Sequence, residues 1–472
     1  MPEDTFNLVV VGGGAAGLVA AYIGASAKAR VALLERHKMG GDCLYTGCIP
    51  SKSFLKTAKV VAYGRKGESL GIPGMRAEAS FEQAMERVQR IIRTLEPQDS
   101  SERYSAMGVK CFEGEARISG KNEVEVGGRK IRALSLVLAT GARSRDPGIP
   151  GLSNFLNAGS VWRLRSLPKR LVVLGGGPMG CELAQAFRRF GSQVALVEKS
   201  SRLLPREDIE VGKALEEKFH SEGIQLFLGE EAKNADSGKL VLRGGACIPF
   251  DQVLSAMGRV PNLGGLEKLE LTIRFGGIAV DHYMRTNIRG VFAAGDCAVL
   301  PEGSLQFTHF ASESGSAAAL NALAPWSFRR VDTRAFPRVV FSDPEVARVG
   351  LTEEEALASG ISFEVTRHEF RDLDRAIAED DTRGFLKILT RKGTDRILGA
   401  LIVGPSAGEL IMEFTLAMQH GLGLKKILAT IHPYPTFSEI SRRAAGDWFK
   451  THSSLFGSEI LARYHRLRRD FF

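Results

Sequence analysis

One motif of an apolar run followed by glycines occurs twice in the chain. LVVVGGGAAG at residues 8–17 returns as LVVLGGGPMG at residues 171–180, a constant displacement of 163 residues. Each copy has the spacing G-x-G-x-x-G before a helical pattern, which is typical of a strand, a tight turn and a helix that bind a dinucleotide. The repeat therefore predicts two domains of one kind. The motif glycines are Gly12, Gly14, Gly17, Gly175, Gly177 and Gly180.

An acidic residue follows each motif at the same distance. Apolar runs end at Glu35 and Glu198, and both acids lie 18 residues after the third glycine. A carboxylate at this position can accept hydrogen bonds from the ribose hydroxyls of an adenosine. Because a carboxylate repels a 2′-phosphate, Glu198 favours NADH over NADPH, although Lys199 and Arg202 weaken this preference.

Two of the six cysteines lie close together in GGDCLYTGCIPSK, residues 40–52. A zinc site at Cys43 and Cys48 would need two more ligands at short spacing, and the other cysteines are scattered. Two cysteines packed in a core would not explain the polar, glycine-rich surroundings. Pro50 suits the first turn of a helix starting near Cys48, where the helix dipole stabilises a thiolate. We therefore predict a redox dithiol beside the first dinucleotide site, and no metal site.

The same segment resembles the redox-active disulfide motif of the flavin-dependent pyridine nucleotide-disulfide oxidoreductases. This family includes dihydrolipoyl dehydrogenase, glutathione reductase and mercuric reductase. The resemblance extends from Val9 to about Gly446. The supporting segments, in order, are LVLATGAR (136–143), AMGRVPN (256–262), GVFAAGDC (290–297) and FSDPEVARVGLTEEEA (341–356).

The resemblance implies a site in which the first unit binds FAD and the second binds NAD(P)H. Cys48 would then lie against the flavin, and Cys43 would face the substrate. Lys52 would lie near the flavin and pair with Glu182. Asp296 would hydrogen-bond the ribityl chain. The residues assigned to the two cofactors are Gly12, Gly14, Ala15, Ala16, Gly17, Glu35, Arg36, Gly41, Lys52, Ala139, Thr140, Gly141, Gly175, Gly177, Gly180, Glu198, Gly258, Arg259, Gly295, Asp296 and His309.

The segment TIHPYPTFSEI, residues 430–440, departs from the family pattern. Family members that act on disulfides resemble one another in H-P-T-x-x-E, which supplies an acid–base pair. Here Tyr434 takes the histidine's place, Glu439 keeps the carboxylate, and His432 comes two residues early. A phenol is a poor general base at neutral pH, which favours a metal ion or another electrophile as acceptor. Mercuric reductase resembles the chain in having this tyrosine. Dihydrolipoyl dehydrogenase stays an alternative if His432 acts as base.

The alternation of strand and helix patterns predicts an α/β fold with two doubly wound Rossmann-type dinucleotide-binding domains. We expect residues 1–148 and 275–343 to form a discontinuous FAD-binding domain that residues 149–274, the NAD(P)-binding domain, interrupt. Residues 344–472 are expected to form an α+β dimerisation domain, because the resemblance implies a homodimer.

Composition limits the partners. The net charge of +9 is spread along the chain, and no stacking platform or zinc-finger spacing accompanies it, so we predict no nucleic-acid partner. The chain has no run of 18 apolar residues and no leader-like segment, which predicts a cytoplasmic protein without clear membrane association. We expect the partner to be a small-molecule disulfide, dithiol or other electron acceptor. A basic tail leaves open a binding subunit of a larger assembly; its arginines are Arg463, Arg466, Arg468 and Arg469.

Overall fold

The structure is a computed structural model that describes residues 4–75, 77–452 and 455–471, with the backbone alone at residues 455–458. The chain divides into two compact units. The first unit comprises Met1–Ser201 and His220–Asp332, and the second comprises Arg202–Phe219 and Thr333–Phe472. The boundaries between cofactor domains given above stay predictions, since this division follows packing rather than ligand binding.

The first unit contains several sheets. Its strands are β1 (Thr5–Val11), β2 (Val31–Glu35), β3 (Val109–Glu113), β4 (Arg117–Gly120), β5 (Glu123–Val126), β6 (Arg129–Leu138), β7 (Ala142–Ser144), β8 (Arg170–Leu174), β9 (Gln193–Glu198), β10 (Gln225–Leu228), β11 (Ala232–Asp236), β12 (Lys239–Leu242), β13 (Cys247–Pro249), β14 (Gln252–Ser255), β15 (Arg259–Pro261), β16 (Ile273–Arg274), β17 (Gly277–Ala279), β18 (Val291–Ala293) and β19 (Ala298–Val299).

Helices connect these strands. They are α1 (Ala15–Ser26), α2 (Gly41–Tyr45), α3 (Cys48–Arg65), α4 (Phe81–Leu95), α5 (Ser101–Ala106), α6 (Pro178–Phe190), α7 (Ile209–Glu222) and α8 (Thr308–Leu323). Single turns of 3₁₀-helix occur at Gly67–Leu70, Glu96–Asp99, Val161–Arg163 and Gly295–Cys297. Residues 209–219 of α7 belong to the second unit.

Each glycine motif follows a strand, β1 or β8, whose two neighbours in its sheet run parallel to it. One sheet has the order β3-β2-β1-β6-β5-β4 with β18 also on β6, and the other has the order β10-β9-β8-β14. Val9 pairs with Ala32 between β1 and β2, and Val172 pairs with Ala195 between β8 and β9. Both residues of the second pair are displaced by 163 from the first, so the repeat extends to strand register.

Apolar strands explain why these sheets are buried. Leu8, Val9 and Val10 have no solvent-exposed surface, and the strands VALLE and LVVL are similarly apolar. Continuous apolar runs of this kind are typical of parallel strands covered on both faces. A short antiparallel meander is formed by β4, β5 and the first half of β6.

The second unit has one antiparallel sheet with helices packed against it. Its strand order is β20-β21-β24-β23-β22. Strands are β20 (Arg338–Val340), β21 (Glu345–Gly350), β22 (Phe363–Glu369), β23 (Phe385–Arg391) and β24 (Ile397–Gly404). Helices are α9 (Glu353–Ala358), α10 (Asp374–Ala378), α11 (Ala407–Gln419), α12 (Leu424–Ala429), α13 (Glu439–His452) and α14 (Leu455–Asp470), with a 3₁₀ turn at Phe370–Asp372.

The apolar core of this unit includes Phe370, Phe414 and Trp448, from the 3₁₀ turn, α11 and α13. Parallel sheets in the first unit and an α+β second unit together confirm the predicted fold class. None of the helices in the described ranges combines the length and apolar character that crossing a bilayer requires.

Candidate active site

The two glycine turns have the geometry that close approach of a phosphate requires. Gly12 has a φ of +108°, and Gly175 a φ of +104°. A Cβ on Gly17 would lie 1.8 Å from the Gly12 carbonyl oxygen, and a Cβ on Gly180 would lie 1.9 Å from that of Gly175. Only glycine can therefore let α1 and α6 begin this close to their strands, which leaves both helix N-termini open to an anionic ligand.

The acids at the ends of β2 and β9 bind the glycine turns through the same backbone contacts. Glu35 accepts hydrogen bonds from the amide groups of Gly13 at 2.7 Å and His37 at 2.8 Å. Glu198 accepts them from Gly176 at 2.6 Å and Ser200 at 2.7 Å. Each residue of the second set is displaced by 163 from the first. The predicted ribose-binding carboxylates are thus held rigidly at both turns.

The predicted cofactor residues collect at the carboxyl ends of parallel strands. Gly12 follows β1, and its amide donates to the Leu34 carbonyl in β2 at 2.8 Å. The amide of Ala139, after β6, donates to the Val11 carbonyl at 2.8 Å. Open α/β sheets bind ligands at this edge. Other predicted residues at strand ends or in the turns that follow are Arg36, Thr140, Gly141, Gly258 and Gly295, and Ala15 and Ala16 begin α1.

The loop with the two cysteines packs directly on the first glycine turn. The Gly40 amide donates to the Gly13 carbonyl at 2.8 Å. A Cβ on Gly41 would lie 2.6 Å from the Cα of Gly14. On the other side of the loop, the indole of Trp162 donates to the Thr46 carbonyl at 2.9 Å. These contacts fix α2 and the start of α3 beside the predicted FAD turn.

Cys43 lies in α2 and Cys48 is the first residue of α3, and both are reduced and half-buried. The hydrogen bond from Cys43 lowers the pKa of Cys48 to about 6, and the Thr308 hydroxyl and the positive charge of Lys52 act in the same direction against burial. Thr308 Oγ1 lies 3.1 Å from Cys48 Sγ. The same hydrogen bond and burial raise the pKa of Cys43 far above its ordinary value.

The unequal pKa values give the two sulfurs different protonation states. In the dithiol state Cys48 is the thiolate at neutral pH, and Cys43 is the thiol that donates a hydrogen bond to it. A thiolate is the stronger nucleophile, whereas a neutral thiol must first lose its proton. The geometry therefore holds a stable anion at Cys48 and the exchangeable proton at Cys43.

Lys52 and Glu182 form the predicted pair. Lys52 Nζ lies 3.0 Å from Glu182 Oε2 and 3.3 Å from Oε1, and the glutamate side chain is only 6% exposed. Lys52 lies one helical turn after Cys48. The negative charge of Glu182 raises the pKa of Cys48, and the positive charge of Lys52 lowers it.

Arg259 and Asp296 lie at the same strand edge. Arg259 forms ion pairs with Asp42 and, at 3.4 Å, with Asp296. It also donates to the Ala142 carbonyl at 2.7 Å. Burial raises the pKa of Asp296 although Arg259 opposes this. A half-buried carboxylate with a single ion-pair partner at 3.4 Å can still accept hydrogen bonds from ligand hydroxyls, which fits the predicted ribityl contact.

His309 is the second residue of α8, next to Thr308. Its ring centroid lies 5.4 Å from that of Phe307. The sequence interpretation chose this histidine and did not single out Thr308. A threonine at a helix start is normally taken for a cap, and Thr308 stands 260 residues from Cys48. No local sequence signal could have identified its contact with the sulfur.

The three acid–base candidates near residue 434 lie in the second unit. The Tyr434 hydroxyl donates to Asp374 Oδ2 at 3.0 Å, and this contact raises the pKa of Tyr434. His432 Nδ1 lies 3.0 Å from the Thr430 carbonyl, and its Nε2 lies 2.9 Å from Glu413 Oε1.

Glu439 begins α13 and is 8% exposed. Its Oε2 is buried without a partner among the described residues, and its Oε1 lies 4.0 Å from Arg443. In the family pattern this carboxylate orients a histidine. Here the Tyr434 hydroxyl donates a hydrogen bond to Asp374 instead, and no sequence motif pointed to that aspartate.

Comparison with known proteins identifies the class of this site. Residues 6–315 match the family described as pyridine nucleotide-disulphide oxidoreductase, and residues 336–445 match its dimerisation domain. The chain belongs to this family of FAD-containing oxidoreductases, which confirms the predicted resemblance, enzyme class and cofactor types.

Individual relatives have different substrates. The chain is 33% identical over 457 residues to dihydrolipoyl dehydrogenase of Chlamydia muridarum, covering 94% of this chain and 97% of the relative. It is 30% identical over 465 residues to mercuric reductase of Staphylococcus aureus, covering 96% and 84%. A solved Cu(II) complex of the HOCl-induced flavoprotein disulfide reductase RclA from Escherichia coli has a TM-score of 0.83 at 27% identity, covering 94% and 99%.

Proposed function

We propose that this oxidoreductase uses NADH to reduce a thiol-reactive electrophile, foremost a soft metal ion, through Cys43 and Cys48. The observation that carries the proposal is the bond from the Tyr434 hydroxyl to Asp374. A phenol whose pKa is raised by a carboxylate cannot take a proton from a dithiol at neutral pH. A metal ion that binds thiolates needs no such base, because coordination itself displaces the thiol proton.

Two relatives support a metal ion as the acceptor. Mercuric reductase is named for a metal ion, and RclA has been solved with Cu(II). Among the described residues, no separate cluster of His, Cys, Asp and Glu could hold a metal ion. The proposal therefore assigns the metal ion to the thiolates as substrate, rather than to a resident site.

The residues of the chain divide the work as follows. Bound FAD would supply the two-electron chemistry that links hydride from the nicotinamide to reduction of the Cys43–Cys48 disulfide to the dithiol. Thr308 and Lys52 hold Cys48 as thiolate. Cys43 loses its proton when it binds the acceptor. Two electrons then leave the sulfurs for the acceptor, and the Cys43–Cys48 disulfide forms again.

We propose the remaining site residues in the roles predicted above. Gly12, Gly14, Gly17, Glu35 and Asp296 would hold FAD, and the second turn would hold the pyridine nucleotide. The cradle at each turn, which a Cβ would fill, supports both assignments. Glu182 would keep Lys52 in position.

A preference for NADH is supported by the environment of Glu198. This carboxylate is 7% exposed and is fixed by two backbone amides, so it cannot turn away from a 2′-phosphate. Arg202, one of the two nearby cations that could bind such a phosphate, donates instead to the Pro205 carbonyl at 3.1 Å and to Glu354 at 2.9 Å.

We also propose a cytoplasmic homodimer. A dithiol that must be regenerated suits a reducing compartment. The apolar side chains of Met412 and Leu416 on α11 are 51% and 58% exposed, and Ile431 is 94% exposed. An apolar surface of this kind on a dimerisation domain fits a second copy of the chain.

Dihydrolipoyl dehydrogenase is a second candidate, and one contact favours it. His432 Nε2 lies 2.9 Å from Glu413 Oε1, which makes an imidazole–carboxylate pair two residues before Tyr434. Such a pair could supply the base that dithiol oxidation requires. Its weakness is that Nδ1 is also occupied, by the Thr430 carbonyl.

The test is anaerobic stopped-flow reduction with NADH or NADPH, followed by turnover with mercuric ion, cupric ion, lipoamide, glutathione disulfide and quinones. We expect metal-ion turnover that Cys43→Ser abolishes. Lipoamide turnover should be about a hundredfold lower than metal-ion turnover. Lipoamide turnover equal to the rate of flavin reduction would overturn the proposal. The control is Tyr434→Phe, which should leave metal-ion turnover within about threefold of the parent value, since the hydroxyl takes no part in proton transfer to or from the dithiol.

A further inference from the structure

The last helix, α14, extends beyond the matched dimerisation domain, which ends at residue 445. It has 16 residues, and a helix of this length spans about 24 Å. Every described side chain from residue 459 to 471 is exposed to solvent. The enzyme chemistry discussed above makes no use of this helix.

Three apolar side chains share one face of α14, and Phe471, the residue after the helix, continues the row. Ile460, Tyr464, Leu467 and Phe471 follow each other at spacings of 4, 3 and 4 residues. Their exposed fractions are 54%, 54%, 52% and 84%. Apolar residues at this spacing normally pack against something, and a row of them left in water marks a binding face.

Arginines border the apolar row on both sides. With a rotation of about 100° per residue, Arg463 and Arg468 lie about 70° on either side of the row's midline. Arg466 and Arg469 lie farther round, on the polar face. Within residues 459–471 the four arginines outnumber the two acids, Glu459 and Asp470.

This arrangement selects one kind of partner. An apolar row between arginines matches a bilayer surface with anionic headgroups, where the apolar side chains enter the acyl boundary and the arginines meet phosphates. A second copy of α14 would bring the same positive charges together. We propose that α14 binds the surface of a membrane that contains anionic lipids, lying in its plane, and so holds the reductase there. This inference does not depend on which acceptor the enzyme reduces.

The experiment is flotation of the full-length, flavin-loaded enzyme with two kinds of vesicle. One is pure phosphatidylcholine and the other is an equimolar mixture with phosphatidylglycerol. We expect binding to the anionic vesicles alone, and weakening of that binding as salt is added, since salt screens the arginines.

Three variants separate the contributions. Ile460→Gln with Leu467→Gln should weaken binding to anionic vesicles by at least about tenfold, because both apolar contacts are lost. Arg463→Gln with Arg468→Gln should weaken it by about fivefold for each arginine. His465→Gln, on the opposite side of the helix, is the matched control and should bind as the parent does. Turnover of all three in solution should be unchanged, which shows that they fold.

Several results would overturn the inference. Equal binding to both vesicles would remove the role of the arginines. Absence of binding to either, together with a change of oligomeric state in the Ile460 and Leu467 variant, would assign the apolar row to a second copy of the chain. Equal binding of the parent and the Gln variants would show that another surface meets the lipid.

Discussion

The two glycine turns of the first unit are alike in their own contacts and unlike in what covers them. The backbone bonds to Glu35 and Glu198 correspond residue for residue at a displacement of 163. Yet a Cβ on Gly14 would lie 3.8 Å from the Cα of Gly41, whereas a Cβ on Gly177 would meet nothing within 4 Å. The cysteine loop covers only the first turn. The two copies of the binding element thus differ in chemistry because a different segment of the chain follows each of them.

The largest expected effects come from valine at the third glycine of each turn. The Cβ would lie 1.8 Å from a carbonyl oxygen in Gly17→Val and 1.9 Å in Gly180→Val, so helix and strand must separate at a cost of about 3 kcal/mol. We expect the first variant to purify without flavin. We expect the second to stay yellow but to be reduced by NADH at least about a hundredfold more slowly.

A milder variant separates folding from binding. Gly177→Ala adds a methyl group to open space, so thermal unfolding should stay unchanged while KM for NADH rises. If Gly180→Val lost its flavin as completely as Gly17→Val did, the two turns would not serve separate nucleotides.

The cysteine loop distinguishes the first glycine turn from the second. Cys48→Ser should remove the long-wavelength absorbance that a thiolate gives against a bound flavin, and Cys43→Ser should retain it. Both should lower acceptor turnover by at least about a thousandfold, because a single sulfur cannot cycle. NADH reduction of the flavin is the control reaction. Persistence of the absorbance in Cys48→Ser would reassign the two sulfurs.

A smaller effect is expected from the two acids. Glu198→Gln removes the charge that repels a 2′-phosphate and weakens two backbone bonds, so the ratio of kcat/KM for NADPH to that for NADH should rise by about tenfold. Glu35→Gln is the matched control at the other turn. It should lower flavin affinity and leave the nucleotide ratio unchanged. A change of the ratio in Glu35→Gln would contradict the assignment of the turns.

The sequence alone predicted the features that repeat or lie within one short segment. The strand, turn and helix at each glycine motif were predicted, because each is a local unit. The structure adds that the Val9–Ala32 and Val172–Ala195 pairs share one register. The Lys52–Glu182 pair, 130 residues apart, was predicted only from resemblance to a family.

Tertiary contacts that the family resemblance does not include were not predicted. Asp374 lies 60 residues from Tyr434 in the chain, and Glu413, on α11, contacts His432 in the loop after α12. A carboxylate on a short helix carries no local sign of its partner, because hydrogen bonds of this kind depend on how the elements pack. The sequence therefore identified the acid–base candidates without indicating that Tyr434 and His432 already have carboxylate partners.

The smallest and most specific effect concerns Thr308, the contact that sequence reasoning missed. Its hydroxyl donates a hydrogen bond to the Cys48 thiolate. Among the groups that lower the pKa of Cys48, the hydrogen bond from Cys43 has the largest effect, Thr308 the second and the charge of Lys52 the third. The thiolate exists above the pKa of about 6 and is protonated as pH falls through it. Thr308→Val should therefore move the loss of the thiolate absorbance to higher pH, and by more than Lys52→Met does.

Turnover at neutral pH should fall by about two- to tenfold in Thr308→Val, as expected for one hydrogen bond to a charged group. Thr308→Ser keeps the hydroxyl and should restore both the titration midpoint and the rate, which a purely structural role for the side chain would not require. An unmoved midpoint in Thr308→Val, measured on the reduced enzyme, would mean that Cys43 and Lys52 suffice to hold the thiolate. In that case the difference between the two turns would arise within the cysteine loop and α3, without a contribution from α8.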